Sequence, residues 1–492
     1  MLLGLSAAAL GYVFLVAIYR LYLHPISKLP GPKLAAVTSL YGFYFNVVKG
    51  GRYLWEIEKM HKKYGPIVRI DPNEVHIADP YFYSEIYAPK LRDKDPRFVR
   101  LGDIQGSMLF TVGHNLHASR RAVLQNFFSK MSILGLESMI QKKVDKLAQR
   151  MKMAYQAGTV FNLDAAFAAI ASDVIGEYAY GFSLDYLDHE DFGNEIRDSM
   201  LSILSLSHLM MFFPIPLSVV KAVPKQLLQK FSPALANILY VRELVLEQAK
   251  FALKESGKGG SGKKTIFEAL ADPSLPPEER APTRIRDEAL SLLNAGTETT
   301  AGILRAIFFH LLHDKTKLLN LRNELEQSPS ASFAELERLP YMRGVINEGL
   351  RLAGAIGRLP RCVPTGTGLI YEQWVIPPKV MISQCNLFIH MNADLFPDPH
   401  SFDPERWIRS QENGDRLENM LVAFSKGPRQ CLGINLATAE LYLIVATLVR
   451  RFDMDLYKTT FEDIETYRDY QVGFPKEKSP GLRAIITQDL CS

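Results

Sequence analysis

Ten residues near the C-terminal end carry the clearest chemistry in the chain: Phe424-Ser425-Lys426-Gly427-Pro428-Arg429-Gln430-Cys431-Leu432-Gly433. One cysteine stands between two glycines, with Arg429 two residues ahead of it. An apolar run comes next, with Ala437, Leu441, Ile444 and Leu448 among its members. A thiol on a glycine-rich loop just before a helix sits where backbone N–H groups and the helix dipole favour thiolate. Glycine also lets the backbone approach a large flat cofactor and donate N–H bonds to sulfur. The pattern predicts that Cys431 is an anionic metal ligand, specifically the axial thiolate of a haem iron. A small buried thiol in a turn would explain the cysteine, but not the arginine and glycines around it.

Three further groups could do chemistry. Ala295-Gly296-Thr297-Glu298-Thr299-Thr300 lies in a helical pattern from about 285 to 313, with Leu304, Ile307, Phe308 and Leu311 on its apolar stripe. A mid-helix glycine costs about 1 kcal/mol against alanine, so Gly296 is expected to leave room for a flat ligand or dioxygen. Thr299 can bond its own i−4 carbonyl or release it, and Glu298 beside a hydroxyl is a plausible proton source. His117 and Arg121 are four apart on one helix face and can hold a carboxylate. Glu348 and Arg351 can pair at i,i+3, which by itself says little.

The ten-residue loop resembles the haem-binding signature of the cytochrome P450 superfamily, F-x-x-G-x-R-x-C-x-G, with Phe424, Gly427, Arg429, Cys431 and Gly433 all matching. Ala295 to Thr300 is similar to that family's A-G-x-[DE]-T-T oxygen-activation motif. The resemblance implies that Thr299 and Glu298 manage protons during dioxygen cleavage. It implies haem b as cofactor, with His117, Arg121, Arg361 and Arg429 offering donors to its two propionates. His117 stands where the family more often has tryptophan. Glu348, Arg351 and Arg406 would form a buried network that clamps the segment leading to Cys431. There Pro399 and Phe402 fit the family pattern, and Trp407 stands where phenylalanine is commoner.

The elements that must position these residues read as mainly α with a small β part, an α+β chain, and the resemblance implies the cytochrome P450 fold. Ile67 to Ile70 and Val75 to Ala78, around Asp71-Pro72-Asn73-Glu74, predict a β-hairpin. Residues 1–23 are expected to be a single-pass membrane anchor: Leu2 to Ile18 carry no charge, and the run just reaches a bilayer's span. A cleaved signal peptide is disfavoured because no positive region precedes the run. Arg20, Lys28 and Lys33 lie after it, which places the body in the cytosol, on the endoplasmic reticulum membrane. Residues 24–36, with Leu29-Pro30-Gly31-Pro32, are expected to be a stiff hinge, and 37–492 the catalytic domain.

Other classes fall away. A net charge of +4 and no basic tract with interleaved aromatics argue against nucleic acid. Four cysteines, none in a CxxC pair, argue against structural zinc and for a reducing compartment. Gly257 and Gly262-Lys263 imitate a phosphate loop, but Lys264 stands where a magnesium-binding hydroxyl is needed, so a solvated loop is expected.

The resulting expectation is a membrane-anchored monooxygenase oxidising a lipophilic secondary metabolite. Gly50 to Ile77 is similar to the trichodiene oxygenase group, which suggests a terpenoid. A separate NADPH–cytochrome P450 reductase, with cytochrome b5 as a second donor, is implied. It would dock near the cysteine loop, where Lys426 and Arg120 offer positive charge to it. A monomer is expected. The apolar, proline-broken run from Leu206 to Pro224 is expected to dip into the membrane beside a substrate entrance. Asp93 to Gly113, Ala353 to Ile356 and Val472 to Phe474 are expected to wall the pocket. The alternatives are isomerisation, dehydration or ring closure on the same fold, polyketide or alkaloid oxidation, and a non-catalytic haem sensor.

Overall fold

A computed structural model describes the chain except for Met1 and residues 89–90, 101–103, 182, 214–222, 224, 256–264, 329–331, 354–356, 367, 478 and 492. The phosphate-loop imitation and part of the 206–224 run therefore lie outside the described residues.

Helix α1 (Leu2–Ile18) opens the chain and runs into a π-helical turn, Tyr19–Leu23. The stretch Leu5–Leu23 is long and apolar enough to cross a membrane, and none of it is buried against the body. The proline segment after it is not a free hinge. Ile26 and Leu29 are buried in a core cluster, and Lys33–Val37 forms a short helix. Arg69 donates to the carbonyl of Arg20 at 2.8 Å, and its backbone N–H donates to Pro30 at 2.7 Å. These bonds stitch the segment to the first strand of the body.

That strand, β1 (Ile67–Asp71), pairs antiparallel with β2 (Glu74–Ile77), forming the expected hairpin. Helices α2 (His114–Leu124), α3 (Glu137–Ala157), α4 (Leu163–Tyr180), α5 (Asn194–Ser205), α6 (Pro282–His313), α7 (Lys315–Gln327) and α8 (Pro340–Leu352) build most of the body. The short strands β3 (Arg361–Cys362) and β4 (Met381–Ser383) complete a four-stranded sheet ordered β1-β2-β4-β3. Helices α9 (Glu405–Glu412) and α10 (Ile434–Arg451) flank the cysteine loop.

Helix α4 is apolar almost all round, and a helix of that kind must be buried. It lies along α6, the 32-residue spine of the molecule, about 48 Å long at 1.5 Å per residue. The rings of Phe167 and Phe308 meet at 5.0 Å across this contact, and the hydroxyls of Ser172 and Thr297 share a buried hydrogen bond of 2.9 Å. The spine is therefore fixed in register as well as buried.

Candidate active site

The sequence-nominated residues meet around one cavity of about 590 Å³ between α6 and the cysteine loop. Cys431, Gly433, Phe424 and Arg429 line one side. Ala295, Gly296, Glu298 and Thr299 line the other, and His117, Arg121 and Arg361 lie at its edge. Leu350, Ala353, Leu359, Val472, Gly473 and Phe474 supply apolar wall. Gly427 stays outside: it has φ +75°, and a Cβ there would collide with the carbonyl of Tyr87. Its task is to seat the loop on the segment after Tyr83–Tyr87. Gly433 is the opposite case, since a Cβ there would meet nothing within 4 Å. A flat group can approach the backbone at that point. A Cβ on Gly296 would stand 3.5 Å from Ile175, ordinary contact, so the space beside that glycine faces α4.

The loop is held by named contacts. The Cys431 N–H donates to the Phe424 carbonyl at 2.9 Å. Arg121 donates to the Gln430 carbonyl at 2.7 Å, and Arg429 donates to Thr111 and Val112 at 2.8 and 2.6 Å. Burial pushes the Cys431 thiol up in pKa, against the pull of the Gly433 N–H and Arg121. A coordinated metal ion would reverse that, because a ligating thiol is deprotonated outright.

The edge of the cavity is strongly electropositive. Burial, then the neighbouring cations, holds His117 down at about 3, so its ring is neutral. Arg429 is lowered to about 10, first by burial and then by Arg361, while burial lowers Arg121 and Arg361 too. The His117 Nδ1 and the Arg429 Nε are buried without partners. Lys94, which sequence reading did not single out, joins them: it lines the cavity and bridges backbone to backbone with Arg361. Burial, Arg361 and Arg429 hold its ammonium well below the usual range. Five crowded donor side chains, two of them with a buried unpartnered nitrogen, fit a pair of carboxylates, which is what haem would bring.

On the spine, the Thr299 hydroxyl donates to the Ala295 carbonyl at 2.6 Å. Glu298 is not a free acid. Arg197 on α5 grips it with two bonds, Nε to Oε1 at 2.7 Å and NH2 to Oε2 at 3.0 Å. Arg197 also reaches Asp164 at 3.1 Å, which Arg305 holds at 2.9 Å. Burial raises the Asp164 carboxyl, but the two arginines outweigh it and hold it at about 2. Any proton relay through Glu298 therefore requires this pair to open. Below the spine, Glu440 on α10 is buried and bonded to Thr300, and burial pushes it up to about 8. A charged residue type inside the apolar face of α10 was the signal for it. Arg197 lies a hundred residues from its partner and carried none.

The clamp assembles around Glu348. Arg351 donates to both its oxygens at 2.8 and 2.7 Å, and also to the carbonyls of His390 and Ser401. Arg406 lies 3.3 Å from Oε1 and donates to Pro397 at 2.7 Å. The unusual Trp407 adds a donor, Nε1 to Glu348 Oε1 at 3.0 Å. The expected docking cations fare differently. Arg120 forms a bidentate pair with Glu279, and Lys426 donates to Asn419 at 2.9 Å. Glu279 offsets the charge of Arg120, whereas the Lys426 ammonium keeps its charge because a carbonyl does not neutralise it.

The family model described as Cytochrome P450 matches residues 32–479. The chain belongs to the cytochrome P450 family. It is 58% identical over 475 residues to conidiogenone synthase PchP450 of Penicillium rubens, covering 96% of both chains. It is 42% identical to the monooxygenase aflU of Aspergillus parasiticus, covering 96% of this chain and 95% of that one. It is 41% identical to the monooxygenase TRI4 of Fusarium sporotrichioides, covering 96% of this chain and 92% of that one. The P450 chain is a haem-dependent monooxygenase of the fungal secondary-metabolite type. Membership implies a haem–thiolate cofactor, electrons from a redox partner and a small lipophilic substrate.

Proposed function

We propose that this P450 oxidises a terpenoid at the cavity between Cys431 and the Ala295–Thr299 face. The carrying observation is the cavity itself, with a cysteine on one side, a threonine on the other and crowded donors at its edge. Cys431 would ligate the haem iron, and His117, Arg121, Arg361, Arg429 and Lys94 would serve the propionates of haem b. When bound, the thiolate-ligated haem supplies dioxygen activation and C–H oxidation. The protein orients substrate, excludes water and handles protons. The Thr299 hydroxyl, bonded to Ala295, can turn its O–H into the cavity at the loss of one hydrogen bond. Glu298 accepts and passes a proton at the oxygen that Arg197 releases. Glu348, Arg351 and Arg406 keep the loop in place and take no part in the chemistry.

Residues 1–23 anchor the chain in the endoplasmic reticulum membrane, 24–36 join the anchor to the body, and 37–492 form a cytosolic, monomeric catalytic domain. NADPH–cytochrome P450 reductase supplies electrons. Identity to a protein named conidiogenone synthase, and to TRI4, supports the terpenoid reading. Phe43 meets Phe212 and Phe213 edge-to-face at 5.2 and 5.9 Å, and Phe213 is exposed, which suits an apolar contact with the bilayer. The ligand assignment is tested by the reduced carbon monoxide complex, which should absorb at the wavelength that names the family. Cys431→His should abolish that band, and its retention would overturn the assignment.

A further inference from the structure

Among the described residues, three that line the cavity hold a buried hydrogen-bonding atom with no partner. Two, His117 and Arg429, belong to the electropositive edge. The third is Glu288 Oε1. Glu288 is 0% exposed, and its other oxygen is occupied: Oε2 accepts the Met108 N–H at 2.9 Å and forms an ion pair with Arg284 NH1 at 2.6 Å. Arg284 is itself tied to Glu279 at 3.0 Å. The carboxylate is therefore fixed in orientation by the spine on one side and the 104–113 segment on the other.

Glu288 shares its helix face with the chemistry. Glu288, Ser291, Leu292, Ala295, Gly296 and Thr299 recur at intervals of three and four, and all line the cavity. Seven residues separate Glu288 from Ala295, or about 10 Å along the axis. One end of the cavity thus carries a rigid acceptor, and the other carries Thr299. A buried acceptor left unfilled is costly, and a ligand lacking the matching donor is rejected far more strongly than one lacking a methyl group.

We propose that Glu288 Oε1 receives a hydroxyl group already present on the substrate, so that the enzyme acts on a terpenoid alcohol rather than on the parent hydrocarbon. A hydroxyl fits better than an ammonium, because Arg284 already balances the carboxylate. The reaction supplying the substrate must then have installed oxygen, by water capture during cyclisation or by an earlier hydroxylation. The assignment rests on the reading of this cavity as the terpenoid site.

The test uses the haem-loaded protein and matched sets of cyclic terpenoids of several sizes: an alcohol, its methyl ether, its parent hydrocarbon and the corresponding amine. Binding is followed by perturbation of the haem absorption band. The alcohol should bind the wild type roughly tenfold or more tighter than its ether and hydrocarbon. In Glu288→Gln the amide oxygen stays with Arg284 and Met108 and the NH2 faces the cavity, so the alcohol's advantage over the ether should disappear. Glu288→Asp, which withdraws the carboxylate by one methylene, gives the same reading if the glutamine variant fails to fold. Equal binding of alcohol and ether by the wild type, or tighter binding of the amine, overturns the hydroxyl assignment alone. No binding by any member, with the carbon monoxide band intact, overturns the terpenoid reading and this assignment with it.

Discussion

Replacing Arg197 by methionine removes the guanidinium and keeps much of the side chain's bulk. Two charge-assisted bonds to Glu298, at 2.7 and 3.0 Å, are lost. Asp164 keeps Arg305 at 2.9 Å, so the damage falls mainly on Glu298. Stranding one charge of a fully buried pair costs roughly 3–5 kcal/mol, and this pair, with 11% and 14% of its side-chain surface exposed, falls at the lower end. The stranded carboxylate has an escape, which is to take up a proton. For an ordinary glutamate that costs about 4 kcal/mol near pH 7.5 and about 1.5 kcal/mol near pH 5.5. The destabilisation should therefore be about 3–4 kcal/mol at the higher pH and should shrink to about 1.5 kcal/mol at the lower. Denaturant unfolding of the haem-loaded wild type and Arg197→Met at both pH values reads this directly. A difference that is flat with pH, or below about 1 kcal/mol throughout, would refute the ion-pair reasoning. Product formed per NADPH consumed gives the functional side: Arg197→Met should change it alone, but not on top of Glu298→Gln.

The Glu440 carboxyl, held up at about 8 by burial, keeps a proton that the unfolded chain releases near pH 4.5. The native state must then lose stability as pH rises between those values, whereas Glu440→Gln carries no such proton. The glutamine variant should gain on the wild type by about 3 kcal/mol from pH 5 to 8, and parallel stability curves would argue against it. Trp407→Phe removes the Nε1 donor from Glu348 and should cost about 1–3 kcal/mol in unfolding while leaving the carbon monoxide band in place. Changing Phe212 and Phe213 to aspartate in an anchor-deleted form should release the body from liposomes, and unchanged partitioning would count against the membrane contact.

Local signals were readable and long-range ones were not. The cysteine loop, the hairpin at Ile67–Ile77 and the spine around Thr299 each declare themselves within about thirty residues, through turn chemistry and apolar period. The edge of the cavity could be drawn only in part. His117 and Arg121 share a helix turn, but Lys94 reaches Arg361 through a backbone bridge that no spacing announces. Glu298 looked like a free acid because its partner sits on another helix. Arg120 looked like a free charge because charge count does not reveal Glu279.

The walls of the cavity come from Lys94, from α2, α5 and α6, from the turn at Leu359, from the cysteine loop and finally from Val472 to Gly481. The last of these is made after all the others. A growing chain can fold α4 against α6 well before that, but it cannot enclose a guest. The cavity therefore closes around a guest only once the segment from Val472 to Gly481 is in place against the older walls.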